Sequence, residues 1–248
     1  MRRSRRQALK SIVGAAALQS GYSMAAADPV TRPIRLLVLD LGGTTIEDRG
    51  DVPEALRSAF AKHGLTVSAA EISAWRGASK RQVVRHFAKQ QEKLAEAIYK
   101  DFNAQVIKAY RTAQPIAGAE ETFAKLRKSG FLLASNTGFD REIANSIYDR
   151  LKWHQYFAAT VTSDDVTQGR PAPYLIFHAM EAAGVNSVSE VVVVGDTPLD
   201  LQAGTNAGVR GVVGVLTGAF TSEQLRREPH THILPSVAEL PALLRSKF

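Results

Sequence analysis

Val191-Val192-Val193-Val194 runs without a polar interruption into Gly195-Asp196. Four consecutive β-branched residues suit an extended backbone buried on both faces, the environment of a strand inside a parallel sheet. Ile34-Arg35-Leu36-Leu37-Val38-Leu39-Asp40 has the same character, and it too stops at an aspartate before Leu41-Gly42-Gly43-Thr44-Thr45. Two such strands put carboxylates at the edge where open α/β sheets bind their ligands. Further strand-like runs follow at 131–135, 158–162, 211–216 and 232–234, with helical patterns at 118–129, 140–151, 173–184, 198–207 and 236–246. Gly130, Gly184 and Gly208 fall where helices should stop. This alternation predicts an α/β fold, a doubly wound parallel sheet with right-handed crossovers.

One stretch breaks the alternation. Between Thr45 and Pro115 there is no strand candidate, and four helical patterns appear instead, at 53–63, 69–75, 80–91 and 92–110, with Ser68 and Ser79 placed as N-caps. The expected organisation is a core of residues 28–46 plus 115–248, with an α-helical block, 47–114, inserted after the first strand.

The formal charge of +7 points toward nucleic acid only until it is located. Five of the 31 basic residues, and no acid, lie in residues 1–27, so 26 basic residues face 24 acidic ones over the rest. No nucleic-acid role follows. Ser4-Arg5-Arg6-Gln7-Ala8-Leu9-Lys10, a weakly apolar stretch to Met24 and then Ala25-Ala26-Ala27 resemble a twin-arginine export signal. The apolar run is too short and too poor in Leu and Ile to span a bilayer. The chain has no Cys, so neither a disulfide framework nor a lipid-modified cysteine enters the argument. The expectation is a periplasmic protein whose residues 1–27 are a signal peptide.

Three further segments carry chemistry. Ser135-Asn136-Thr137-Gly138 ends a strand and opens a helix, where hydroxyls and backbone N–H groups suit an anion. Asp164-Asp165-Val166-Thr167-Gln168-Gly169-Arg170-Pro171 sets a planar guanidinium in a turn. Thr197-Pro198-Leu199-Asp200 adds an acid one helical turn after Asp196.

With Asp40 and Asp196, these segments resemble the motifs of the haloacid dehalogenase superfamily over nearly the whole chain beyond residue 33. The resemblance implies a Rossmann-like core with a mobile helical cap and a reaction through an aspartyl-phosphate on Asp40. It further implies Mg2+ held by Asp40, the backbone carbonyl of Gly42 and Asp196, with Asp200 steadying that shell. Thr44, Ser135, Asn136 and Thr137 would bind the phosphoryl group, Ser135 and Thr137 being equal candidates for the main contact. Arg170 would offset charge on nucleophile and phosphoryl group. One departure is informative: most phosphatases of the family carry an acidic residue two positions after the nucleophile, and here that position is Gly42.

Gly42, the Gly-Arg-Pro run at Arg170 and the segment Arg76-Gly77-Ala78-Ser79-Lys80 together resemble the phosphonatase branch, phosphonoacetaldehyde hydrolase and its relatives. In that branch a lysine at the position of Lys80 forms a Schiff base. A carbanion leaving group is poorly served by a protonating acid, whereas an imine gives its electrons somewhere to go, so such an enzyme needs an amine and can dispense with the acid. Val83, Arg76 and Phe139 depart from a His, a Met and a Tyr of that branch. The resemblance implies C–P hydrolysis of a small organophosphorus substrate. Phosphomonoester hydrolysis and a non-catalytic binding protein are the alternatives; a dehalogenase would not need the Asp196 and Asp200 pair. The expected partner is a small phosphorylated or phosphonate molecule, with no nucleic acid, no lasting membrane association once the leader is gone, and a homodimer left open. Trp75, Phe87 and Tyr99 are expected in the core of the helical block, and the six histidines show no metal-ligand spacing.

Overall fold

The computed structural model describes residues 33–248. The twin-arginine-type leader, and the export expectation that rests on it, lie outside these residues. The valine run forms β4 (Val191–Gly195), every residue of it buried, and the first apolar run forms β1 (Leu36–Asp40), equally buried. With β2 (Leu132–Asn136), β3 (Ala159–Val161), β5 (Gly211–Val215) and β6 (His232–Leu234) they make one six-stranded sheet in the order β3-β2-β1-β4-β5-β6. All five pairings are parallel. The chain steps outward from β1 through β2 to β3, then returns to the other side of β1 at β4. This reversal opens a crevice at the C-terminal ends of β1 and β4, and Asp40 and Asp196 stand on its two sides.

The β1 side chains show why a parallel strand reads as a continuous apolar run. Leu37 and Leu39 join one core with Phe123, Ile143 and Trp153; Leu36 and Val38 join the other with Leu175, Ile176 and Leu201. The first layer comprises α5 (Ala119–Lys128), α6 (Arg141–Leu151) and α10 (Leu240–Lys247), and the second α7 (Tyr174–Ala182) and α8 (Pro198–Ala207). Phe123 packs edge-on against Trp153 with centroids 5.1 Å apart, and the Trp153 indole N–H donates to Glu120 at 2.6 Å.

Four helices fall between β1 and β2: α1 (Asp51–Lys62), α2 (Ala69–Ser73), α3 (Lys80–Phe87) and α4 (Glu92–Tyr110). Their shared core holds Phe60, Ile98, Phe102 and Val106. Ser68 caps α2 in a reciprocal box with Glu71, as its position suggested. Ser79 stands at the N-cap of α3, but its hydroxyl makes no capping bond. α3 stops at Phe87 rather than Gln91, because Lys89 and Gln90 adopt φ of 51° and 60° and reverse the chain into α4. α10 starts at Leu240, later than its apolar pattern, since 237–239 form a separate 3-10 turn capped by Ser236. The four-residue α9 (Ser222–Leu225), too short to show periodicity, has a capping box of its own from Thr221 and Gln224.

Candidate active site

Asp40 is the last residue of β1, opposite Asn136 in the register of β2. The turn after it is tightly drawn: the Thr45 hydroxyl donates to the carbonyl oxygens of Asp40 and Leu41 at 3.0 and 3.1 Å. Gly43, at φ +79°, lies so close to Asp196 that a Cβ there would meet Oδ2 at 2.5 Å. From the loop after β5, a Cβ on Gly218 would stand 1.8 Å from the same oxygen, while Thr217 donates to the Gly43 carbonyl at 2.6 Å. Backbone alone fits between these two loops and Asp196.

Arg170 joins the carboxylates. Its Nη2 donates to Asp40 Oδ1 at 2.5 Å and to the carbonyl and side-chain oxygens of Asn136 at 2.9 and 3.0 Å. Its Nη1 lies 2.6 Å from Asp200 Oδ1. Asp200 Oδ2 in turn accepts from the Thr197 amide and hydroxyl, closing a capping box at the start of α8. The Thr44 hydroxyl donates to Asp196 Oδ1 at 3.1 Å. All of these side chains are buried. Burial raises the Asp40 carboxyl to about 6 against the pull of Arg170. Burial, then the neighbouring Asp40 and Asp200, pushes Asp196 well above the carboxylate range.

Asp40, Asp196 and Asp200 each offer an oxygen within 4.8 Å of the others, the one such cluster among the described residues. Of the three buried acids, Asp40 and Asp200 share the Arg170 guanidinium at ion-pair distance and Asp196 has no cation that close among the described residues, an excess of negative charge that is costly in a dry site. An all-oxygen donor set suits a hard divalent cation, so these residues fit a metal.

Lys80 opens α3 and faces the same cavity, which measures about 70 Å³. Its Nζ donates to the Ala78 carbonyl at 2.8 Å and stands 5.5 Å from the centre of the Phe139 ring. Only 9% of the residue is exposed. Burial first, then the nearby Arg170 charge, pulls the amine down to about 8. The loop before α3 reaches it by pressing on the core. Lys80 N–H donates to the Gly138 carbonyl at 3.2 Å, and a Cβ on Gly138 would come within 2.6 Å of the Ala78 oxygen.

Asp40, Gly42, Lys80, Thr137, Arg170 and Asp196 thus border one cavity. Thr137, not Ser135, lines it, and the Thr137 hydroxyl accepts from the Phe139 amide at 3.2 Å. Ser135 lies buried on β2 away from the wall, Asn136 is engaged with Arg170, and Thr44 with Asp196. Among the polar residues on the wall, Asp48, Tyr110 and Thr197 were given no site role by sequence, and neither were the apolar Val52, Leu56 and Ile72. Asp48 sits in the charged run Glu47-Asp48-Arg49, which has the composition of a solvated turn, yet it pairs with Arg76 across the cavity. Trp75, expected in the core of the helical block, also faces the cavity, while Tyr99 is buried and donates to Asp140 at 2.7 Å. A Cβ at Gly42 would meet nothing within 4 Å, so the position has room for a side chain.

A family model described as haloacid dehalogenase-like hydrolase matches residues 37–214. A phosphonoacetaldehyde hydrolase from Bacteroides fragilis is 30% identical over 236 residues, covering 84% of this chain and 85% of that protein. Among solved structures, a phosphonoacetaldehyde hydrolase-like protein from Oleispira antarctica superposes with a TM-score of 0.76 at 23% identity, covering 87% of this chain and 92% of that one. A predicted phosphoglycolate phosphatase from Haemophilus somnus 129pt gives 0.71 at 19% identity, over 85% and 97% of the two chains. At these identities the two structures speak for the fold alone.

Proposed function

The chain belongs to the haloacid dehalogenase-like hydrolases, and on that premise we propose that it cleaves the C–P bond of a small phosphonate bearing an aldehyde or ketone, phosphonoacetaldehyde or a relative. The observation that carries this reading is Lys80. It is a buried amine on the wall of the cavity that also holds Asp40, with its pKa drawn to about 8, while the usual acid position is Gly42.

In this mechanism neutral Lys80 attacks the carbonyl carbon, and the resulting carbinolamine takes up one proton from solvent and loses water, leaving a protonated imine. Asp40 attacks phosphorus, the C–P bond breaks, and its electron pair moves into the imine to give an enamine. Protonation at carbon and hydrolysis release the aldehyde or ketone and restore Lys80. A second water cleaves the aspartyl-phosphate to inorganic phosphate. Arg170, already spanning Asp40 and Asp200, holds the nucleophile's orientation and offers positive charge to the phosphoryl oxygens. Thr137 and the backbone at the start of α6 would take further phosphoryl oxygens. Asp40, Asp196 and the Gly42 carbonyl would hold Mg2+, with Asp200 behind them. The ion would offset the charge between carboxylate and phosphoryl group.

Phosphomonoester hydrolysis is the second reading. The same Lys80 would then stay protonated and donate to the leaving oxygen. Borohydride added during turnover of phosphonoacetaldehyde separates the two. A covalent adduct on Lys80, and loss of C–P cleavage by at least about a thousandfold in Lys80→Arg, are the expected outcomes. The absence of an adduct, together with a strong gain in phosphomonoester hydrolysis from Gly42→Asp, would replace the phosphonatase reading with the phosphatase one.

A further inference from the structure

We propose that the organic part of the substrate is uncharged and apolar, so that the phosphoryl group is its only anion. This deepens the hydrolase reading above and rests on it. The cavity wall is drawn from two parts of the fold. The sheet's C-terminal edge and its loops contribute Asp40, Asp196 and Arg170; the helical half contributes Val52 and Leu56 of α1, Ile72 of α2, and Trp75. Leu56 and Ile72 are each only 3% exposed, so this half is an apolar recess continuous with the core of the helical block.

The charges decide what can lie against that recess. Three cations reach the cavity, and two are spoken for. Arg170 is held between Asp40 and Asp200, and Arg76 is paired with Asp48, at 24% and 17% side-chain exposure. Lys80 alone has no carboxylate at ion-pair distance among the described residues, and it is the group assigned to the carbonyl. A carboxylate on the substrate's tail would have to displace Asp48 from Arg76, leaving that acid unpaired, or lie unpaired against Leu56 and Ile72. Both are costly. An alkyl tail meets neither cost and gains about 0.8 kcal/mol per buried methylene, roughly fourfold in binding. The substrate class is therefore a phosphonate whose carbonyl bears an apolar substituent.

The test is a matched pair: a β-ketophosphonate with a propyl tail, and its analogue in which a carboxylate replaces the terminal methyl. Phosphate release by the Mg2+-supplied enzyme should favour the propyl compound by at least about tenfold in kcat/KM. Asp48→Asn, which frees Arg76, should raise the carboxylated compound selectively and shrink the gap to about threefold or less. Equal or better turnover of the carboxylated compound overturns the proposal, as does an unchanged ratio in Asp48→Asn. Binding is read separately, from the thermal shifts given by butylphosphonate and by phosphonobutanoate, neither of which has a carbonyl to react. If neither ketophosphonate releases phosphate while butylphosphonate still gives the larger shift, the C–P cleavage reading falls and the apolar preference stands. A larger shift from phosphonobutanoate overturns the preference whatever the chemistry.

Discussion

At the scale of single residues, function here is in tension with stability, and Lys80 shows it most directly. A Lys in the first turn of a helix is ordinarily a solvated cation, and helix polarity disfavours a positive charge at that end. In this fold the loop of Gly77 and Ala78 presses Lys80 into the core instead, and its pKa falls to about 8 from 10.5. The sign of the linkage follows. The folded value lies below the unfolded one, so the cost of burying the charge is borne in full below about pH 8 and is relieved as pH rises toward 10.5. Lys80→Met keeps an unbranched side chain one atom shorter and removes the charge. It should stabilise the protein at pH 7 by about 1–3 kcal/mol, with the advantage shrinking toward pH 10, as chemical denaturation at both pH values would read. A variant less stable than wild type at pH 7 would show that the amine is better solvated than its burial implies. Turnover of wild type on a ketophosphonate should rise through about pH 8, where the neutral amine accumulates.

At the scale of elements, the site is made where loops from separate strands and the helical insertion touch without side chains between them. A Cβ on Gly138 would stand 2.6 Å from the Ala78 oxygen, and one on Gly77, which sits at φ +86°, would meet the Thr197 hydroxyl at 2.5 Å. Gly138→Ala should therefore push the loop before α3 off the core and break the Lys80 N–H bond to Gly138. Turnover should fall by about ten- to a hundredfold with little change in far-UV circular dichroism; unchanged kcat would mean that the loop adjusts without moving Lys80. Contacts of this kind also mark the limit of what sequence reveals. The strands were legible because β1 and β4 are buried on both faces, and their apolar runs need no partner to be recognised. The pairing of Arg76 with Asp48 was not, because it joins the turn after β1 to the loop before α3, and nothing periodic links them. Ser135 and Thr137 are two residues apart, and only the bend at the end of β2 sends one to the cavity and leaves the other inside the sheet.

At the scale of the whole molecule, the acids at the sheet's reversal point are a liability that a ligand can convert into stability. Burial, followed by Asp40 and Asp200, raises Asp196 above its unfolded value. The metal-free fold therefore binds protons that the unfolded chain has released, and it loses stability as pH climbs through the carboxylate range toward neutrality. A divalent cation that binds the folded state alone reverses this loss. At a hundredfold excess over its Kd, Mg2+ would add about 2.7 kcal/mol, which for a chain of this size is a rise of about 5–10 °C in Tm. EDTA should abolish the rise. Asp196→Asn tests the assignment from the other side, because a neutral amide removes both the repulsion and the ligand. Without metal the variant should melt above metal-free wild type at neutral pH, and it should respond little to Mg2+. Differential scanning calorimetry of the two proteins with Mg2+ and with EDTA measures all four values at once. An equal Mg2+ shift in wild type and Asp196→Asn would place the ion elsewhere on the molecule and remove Asp196 from the metal site.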